Sequence, residues 1–326
     1  PGIAHGLFFW GFFLLFIGTC LILLQADFTD LFFDVKFLKG TFYLYFSLVL
    51  DLAGLVAVVM LTGLFVRRYL VRPEGLETIK DDAIMHGLLF AILLTGFFIE
   101  GARMAVTEMG TPLANWSPVG LFFAKAMVPL GEASLKSLHV GLWWFHMLLV
   151  VGFIMLVPFT KFRHILTTSA NYFFVDQGPK GNLTTLDLED EAAETFGVTQ
   201  VSEMTWKDIF DTDACTQCKR CQDRCPAHTT DKPLSPMKVV NQIGEVAFNS
   251  PGDNLVETVS RDALWACTTC LACQEICPAS IEHVNKIVDM RRNMVLMEGE
   301  FPGEEVMTAA EHVEVNGNPL GLGYAS

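Results

Sequence analysis

A pair of cysteine runs in the last third of this 326-residue chain limits its fold more than any other feature. The first run places Cys215, Cys218, Cys221 and Cys225 in the spacing C-x2-C-x2-C-x3-C, with Pro226 directly after it. The second repeats that spacing at Cys267, Cys270, Cys273 and Cys277, closed by Pro278. Thiolates three residues apart reach three corners of one cubane cluster, and the cysteine before the proline crosses to the other cluster. The spacing therefore predicts two [4Fe–4S] centres. Cys215, Cys218, Cys221 and Cys277 hold one, and Cys267, Cys270, Cys273 and Cys225 hold the other. Disulfides would crowd four cysteines into one short run, and zinc sites favour two ligand pairs over a run of four. Eight free thiolates also call for a reducing compartment, which in a bacterium is the cytoplasmic side. The ninth cysteine, Cys20, lies in an apolar stretch and reads as a small core residue.

Crossing ligands force the two runs to fold against each other, so the stretch between them must close a loop. Residues 226–266 are too long for the β-rich insert of a compact ferredoxin. Apolar residues at helical spacing predict helices over 235–248 and 253–266, with a turn at Asn249-Ser250-Pro251-Gly252. A third helix is expected after Pro278, burying Ile281, Val284, Ile287, Val288 and Met290. Residues 205–300 thus read as an α-helical ferredoxin domain.

Four stretches, 3–24, 42–66, 83–102 and 140–159, are long and apolar enough to span about 30 Å of hydrocarbon. A backbone in lipid must satisfy its own hydrogen bonds, so each is read as a helix. The fold class is all-α: a transmembrane helix bundle of haem b type followed by the helical ferredoxin domain. Residues 119–130 are too short to span and carry Lys125, so they read as a re-entrant or interfacial helix. The first stretch lacks a basic start and a small-residue cleavage site, so it reads as a span and not as a signal peptide.

Charge divides the chain in the same place. Residues 1–166 hold 11 basic and 11 acidic residues, so the net charge of −14 falls entirely in the remainder. The expected domains are a membrane domain at 1–166, a linker at 167–204, the cluster domain at 205–300 and a further linker beginning at 301–326. An acidic soluble part excludes nucleic acid as a partner. Arg67, Arg68, Arg72 and Lys80 share one loop, and Lys161 and Arg163 follow the last span, so both sites are expected on the cytoplasmic side. That gives a multi-pass protein of the bacterial cytoplasmic membrane with its iron–sulfur domain inside. The chain lacks an initiating Met and ends in linker-like sequence, so a longer gene product is expected at both ends.

Histidines mark the membrane faces. His139, His146 and His164 lie in and just after the last span, and 18 residues of helix would place the last two on one face, about 27 Å apart. Intramembrane histidines on one stripe point to axial ligands of haem b or to a quinone site. One haem near the cytoplasmic face would pair His164 with His5 or His86. A second haem at His146 needs a partner beyond His139, which shares its helix. Asp51 is expected on a proton path, and His139 and His146 near quinone, while Glu100 and Arg103 form an i,i+3 pair.

The histidine spacing, ending in Pro158-Phe159-Thr160-Lys161-Phe162-Arg163-His164, resembles the haem b subunit of respiratory nitrate reductase. That resemblance implies His5 as the partner of His164 and one more span before residue 1; its second haem would use the position of Leu15. Trp265-Ala266-Cys267-Thr268-Thr269-Cys270 and Met290-Arg291-Arg292 resemble the helical ferredoxin part of heterodisulfide reductase-type proteins. The fusion of both parts resembles membrane-bound electron-transfer-flavoprotein:menaquinone oxidoreductases. It implies a quinone-linked oxidoreductase that takes electrons from electron-transfer flavoprotein or another cytoplasmic redox protein. They pass through two [4Fe–4S] clusters and haem b to menaquinone, within membrane lipid. The alternatives are a thiol–disulfide reductase subunit fed by quinol, or a non-catalytic membrane anchor of a larger redox complex.

Overall fold

Lipid offers a backbone no hydrogen-bond partner but itself, and the four apolar stretches are accordingly helices. The computed structural model describes residues 2–73, 78, 80–179 and 181–323, and among these there is no strand. Two compact units emerge, dividing between Lys161 and Phe162.

In the first unit, α1 (Gly2–Leu23) runs on through a π-helical turn, Leu24–Thr29, to Phe33. Helix α2 (Gly40–Phe65) likewise continues through Val66–Val71, and α3 covers Lys80–Thr107. The short α4 (Pro118–Met127) and the long α5 (Glu132–Leu156) complete the unit. Each long helix starts before its expected span, and the first three also run past the end of theirs, because helices continue into the polar interface where hydropathy no longer marks them. Four are long and apolar enough to cross a membrane, and α4 is not.

Helix α1 packs on α2, and α3 packs on both α4 and α5. Small residues let the backbones approach, as membrane helices require. A Cβ on Gly11 of α1 would lie 2.9 Å from the Ala53 carbonyl oxygen of α2. The buried core runs through Ala57 and Leu61 of α2 and Met85, Leu89 and Leu93 of α3. At one end Arg68 and Lys161 both pair with the buried Asp82, so the ends of α2 and α5 meet the start of α3 there. Cys20, expected in a core, is exposed on α1 instead.

Pro158 changes the expected course of the last span. Helix α5 stops at Leu156, a 3-10 turn covers Val157–Phe159, and Thr160 is extended. Proline's ring clashes with the preceding turn and removes a donor, so the helix cannot continue. His164 therefore opens a separate helix, α6 (His164–Phe173), in the second unit. The single helical face shared by His146 and His164 does not exist.

The second unit is built from α7 (Trp206–Ala214), α8 (Pro236–Asn249), α9 (Leu255–Val259), α10 (Arg261–Trp265), α11 (His283–Leu296) and α12 (Glu304–Asn316). Helix α8 matches its expectation. The helix expected over 253–266 is two, broken at Ser260, whose φ is +81° and whose side chain accepts from Ala263 N–H to start α10. The expected linkers also differ: residues 304–316 form α12, and α6 covers the start of 167–204, while residues 324–326 lie outside the described part. The core joins Leu234, Ile243, Leu255, Leu264, Ile287, Met290 and Met294. A strap at residues 197–199 crosses α11 closely. Val198 N–H donates to the Asp289 carbonyl at 3.0 Å, and a Cβ on Gly197 would lie 2.4 Å from that same oxygen.

Candidate metal centres

Both cysteine runs use one backbone design. Cys215 ends α7, and Cys221 lies on the short helix Arg220–Asp223; Pro226 then starts another short helix. In the second run Cys267 follows α10, and Cys273 lies on the short helix Ala272–Ile276. Gln217 and Lys219 take positive φ (52° and 66°), and so do their counterparts Thr269 and Leu271 (53° and 62°). A left-handed conformation costs a non-glycine residue about 1–2 kcal/mol, so four at equivalent places need a common cause. They turn successive backbone N–H groups inward, forming a concavity suited to an anion. Thr269 N–H donates to Cys267 Sγ at 3.4 Å.

The eight sulfurs sort into two groups. Cys225, Cys267, Cys270 and Cys273 line one small pocket together with Leu234, Ile287 and Val284. The like charges felt by Cys273 are those of Cys267, Cys225 and Cys270. Those felt most by Cys221 are Cys215, Cys277 and Cys218. Each run thus sends its last cysteine to the other group. Among the described residues no three His, Cys, Asp or Glu side chains converge on a single ion site. The thiolates of a cubane each take a different iron and need not converge on one point. Burial raises the Cys215 thiol to about 11 and those of Cys221 and Cys273 to about 12. In such surroundings iron must supply the charge that displaces the protons. Backbone and donor set fit two cubanes.

The groups sit back to back, since Cys221, Cys273 and Val284 pack in one cluster. The second cysteine of each run, Cys218 and Cys270, is exposed. Behind the first group lies a buried ionic hub that hydropathy did not reveal. Lys286 of α11 is fully buried and donates to Asp211 Oδ2 at 2.6 Å, Asp208 Oδ1 at 3.0 Å and the Glu282 carbonyl at 3.1 Å. Asp211 also accepts from Lys207 at 2.6 Å, Asn171 at 2.8 Å and Glu282 N–H at 3.1 Å. Burial would raise the Asp211 carboxyl, but Lys286 and Lys207 together hold it below its ordinary value. Asn171 reaches on to the Ala279 carbonyl at 2.8 Å, tying α6 to the loop after Cys277. Near the second group, Arg291 donates to the carbonyls of Leu264 and Cys267 and lies over the Trp265 ring. One signal was available for Lys286: a charge on the apolar stripe Ile287–Met290–Met294, at helical spacing.

In the membrane unit His146 Nδ1 lies 2.8 Å from Thr95 Oγ1. With the single hydroxyl proton of Thr95 on the Ala91 carbonyl at 2.6 Å, Oγ1 accepts from His146 Nδ1–H. In that arrangement Nε2 keeps its lone pair. His86 is set likewise, Nδ1–H donating to the Asp82 carbonyl at 2.7 Å. His139 lies on α5 seven residues before His146, and His5 lies on α1. Asp51 is 2% exposed and caps α4, accepting from Val119 N–H at 2.9 Å and Gly120 N–H at 2.8 Å. A carboxylate at a helix N-terminus meets orphan donors and the positive end of the dipole, so Asp51 serves as the cap of α4. The expected Glu100–Arg103 pair is replaced. Arg103 pairs with Glu108, just past the end of α3, and Glu100 lies against Gly120.

The chain is thus an all-α protein with four helices able to span a membrane, joined to a dicluster iron–sulfur domain. Residues 214–281 match the family described as 4Fe–4S dicluster domain. Over 99% of its length the chain is 36% identical to 50% of the EtfAB:quinone oxidoreductase of Syntrophomonas wolfei. Over 98% it is 26% identical to 50% of the probable iron-sulfur-binding oxidoreductase FadF of Bacillus subtilis. A stretch of 39% of the chain is 37% identical to 23% of a probable membrane-anchored ferredoxin of Chromohalobacter salexigens. The chain spans about half the length of the first two relatives. No solved structure matches it.

Proposed function

We propose that this chain is the membrane and dicluster portion of a quinone-linked oxidoreductase of the bacterial cytoplasmic membrane. It carries electrons from electron-transfer flavoprotein, or another soluble redox protein, to menaquinone. The observation that carries this reading is the sorting of eight cysteines into two crossed groups on a chain with four apolar spans. Cys215, Cys218, Cys221 and Cys277 hold one [4Fe–4S] cluster, and Cys267, Cys270, Cys273 and Cys225 the other. The printed name of the Syntrophomonas wolfei relative supports the donor and quinone assignments. Bound clusters and haem b supply one-electron chemistry, and the protein holds, insulates and orders them.

Three of the eleven basic residues in 167–326, Lys219, Arg220 and Arg224, lie within six residues of exposed Cys218 and are at least partly exposed. On an otherwise acidic surface this patch suits a soluble acidic donor.

In the membrane unit, an imidazole with Nδ1–H tied to a hydroxyl and Nε2 bare is the arrangement a haem iron takes. His146 has it, and would hold a haem or contact quinone together with His139. His164 would hold a haem with His5, His86 being the alternative to His5. Replacing Thr95 by Val takes away the acceptor for Nδ1–H and is expected to lower haem retention or quinone reduction about 10–100-fold. Thr95→Ser keeps both. Haem content and menaquinone reduction, measured together on Thr95→Val and His146→Ala in the full-length protein, are the check. Lost haem assigns a ligand, and lost quinone reduction with full haem assigns a quinone contact. Unchanged values in both variants move the membrane site away from His146.

A further inference from the structure

We infer that the two centres sit at different reduction potentials. The centre of Cys267, Cys270, Cys273 and Cys225 is the higher, and Arg291 is the positioning residue that sets the difference. The inference rests on the ligand assignment proposed above. The two centres share ligand spacing, the pair of left-handed residues and an exposed second cysteine. What differs is the charge fixed around them, and net charge is one of the levers on cluster potential.

Arg291 cannot swing away from the second centre. Its Nε donates to the Leu264 carbonyl at 2.9 Å and its Nη2 to the Cys267 carbonyl at 2.6 Å, and its guanidinium carbon lies 5.1 Å from the centre of the Trp265 ring. Both carbonyls belong to the turn that presents Cys267, and the positive charge is felt at the Cys267 sulfur. The first centre has the opposite neighbour. Asp211 lies four residues before Cys215, and its charge is felt at both Cys215 and Cys277. Lys207 and Lys286 offset it incompletely, because Asp208 and Glu282 belong to the same ionic group. Two cations against three carboxylates leave a net negative charge in the buried group behind the first centre, and the cations beside Cys218, Lys219, Arg220 and Arg224, are exposed or half-exposed and screened by water. The second centre has a half-buried guanidinium. Each centre accepts one electron on reduction, with no bond formed or broken and no proton required. An electron supplied by the soluble donor class proposed above is thus favoured on the second centre. Cys221 of the first centre and Cys273 of the second pack in one cluster with Val284, so the two centres are neighbours.

The test is a redox titration of the iron-loaded full-length protein followed by EPR, with iron and sulfide counted on the same sample. Two separate one-electron steps are expected. Cys270→Ser should alter the signal and midpoint of the upper step, and Cys218→Ser those of the lower. Arg291→Gln should lower the upper step toward the lower and leave the lower in place. Arg291→Lys, which keeps the charge without the fork of donors, should restore most of the gap. Cys270→Ser acting on the lower step would overturn the inference, as would equal shifts of both steps in Arg291→Gln. If Arg291→Gln loses iron, the two cysteine variants still decide the order of the steps. Fewer than two clusters in the unmutated protein would instead refute the ligand assignment, a separate outcome visible in the iron count.

Discussion

Cys277→Ala is expected to remove about half of the iron and sulfide, and the cluster lost is that of the first run, not of the run in which Cys277 lies. Cys277 packs with Cys215 beside Ala214, Val240, Ala279 and Ile281. Its sulfur feels the charge of Cys218. Cys225→Ala should do the reverse, because Cys225 lines the cavity with Cys267, Cys270 and Cys273. The surviving centre is identified by a second change at its exposed ligand. In the Cys277→Ala background, Cys270→Ser should change the remaining EPR signal and Cys218→Ser should leave it alone. The opposite response would mean that each run keeps its own four cysteines. A cavity lined by a cysteine from the other run would then need another explanation.

The parts legible in the sequence were those set by local rules. Apolar length gave four spans, and cysteine spacing gave the two centres. Helical spacing of Val239, Val240, Ile243 and Val246 gave α8, all four being buried. What spacing did not show is what a tertiary partner decides. Asp51 looked like an isolated charge in a span because its partners, Val119 and Gly120 N–H, lie 68 and 69 residues away. Arg103 looked paired with Glu100 by helical offset, but α3 ends at Thr107 and lets Glu108 fold back onto it. The face shared by His146 and His164 failed for a local reason that was visible, since Pro158 stands between them. Cys20 lay in an apolar helix, but in a membrane helix apolar character does not separate lipid-facing from buried positions. Arg291 and Lys286 carry no motif. Lys286 shows only as a charge on an apolar stripe; the partners of both follow from the packing of α11, which spacing along the chain does not encode.

Lys286→Met is expected to destabilise the second unit by about 3–5 kcal/mol, the usual cost of removing one partner from a buried ion pair. Domain stabilities run to about 5–15 kcal/mol, so the loss is a large share. Without the ammonium, Asp211 keeps Lys207, Asn171 and the Glu282 N–H, but Asp208 loses its contact with α11. The loop that follows Cys277 is held by the same group through Asn171 and Glu282, so the first centre should be released at lower urea than the second. The signs of the two titrations agree with a structural ion pair. Burial alone would raise Asp211, yet it is lowered, so its contribution is present above the unfolded carboxyl value and is lost as pH falls through the folded one. Burial alone would lower Lys286, yet Asp211 and Asp208 raise it, so its contribution is present below the unfolded value and is lost as pH rises through the folded one. Asp211→Asn should cost a comparable amount. The double variant should cost less than the sum of the two by about 0.5–3 kcal/mol, because the residues share one network. Urea unfolding of the full-length protein, followed by cluster absorbance and EPR, gives both the midpoints and the order of release. An unchanged midpoint in Lys286→Met, or strictly additive costs in the double variant, would mean that the hub does not hold the cluster loop.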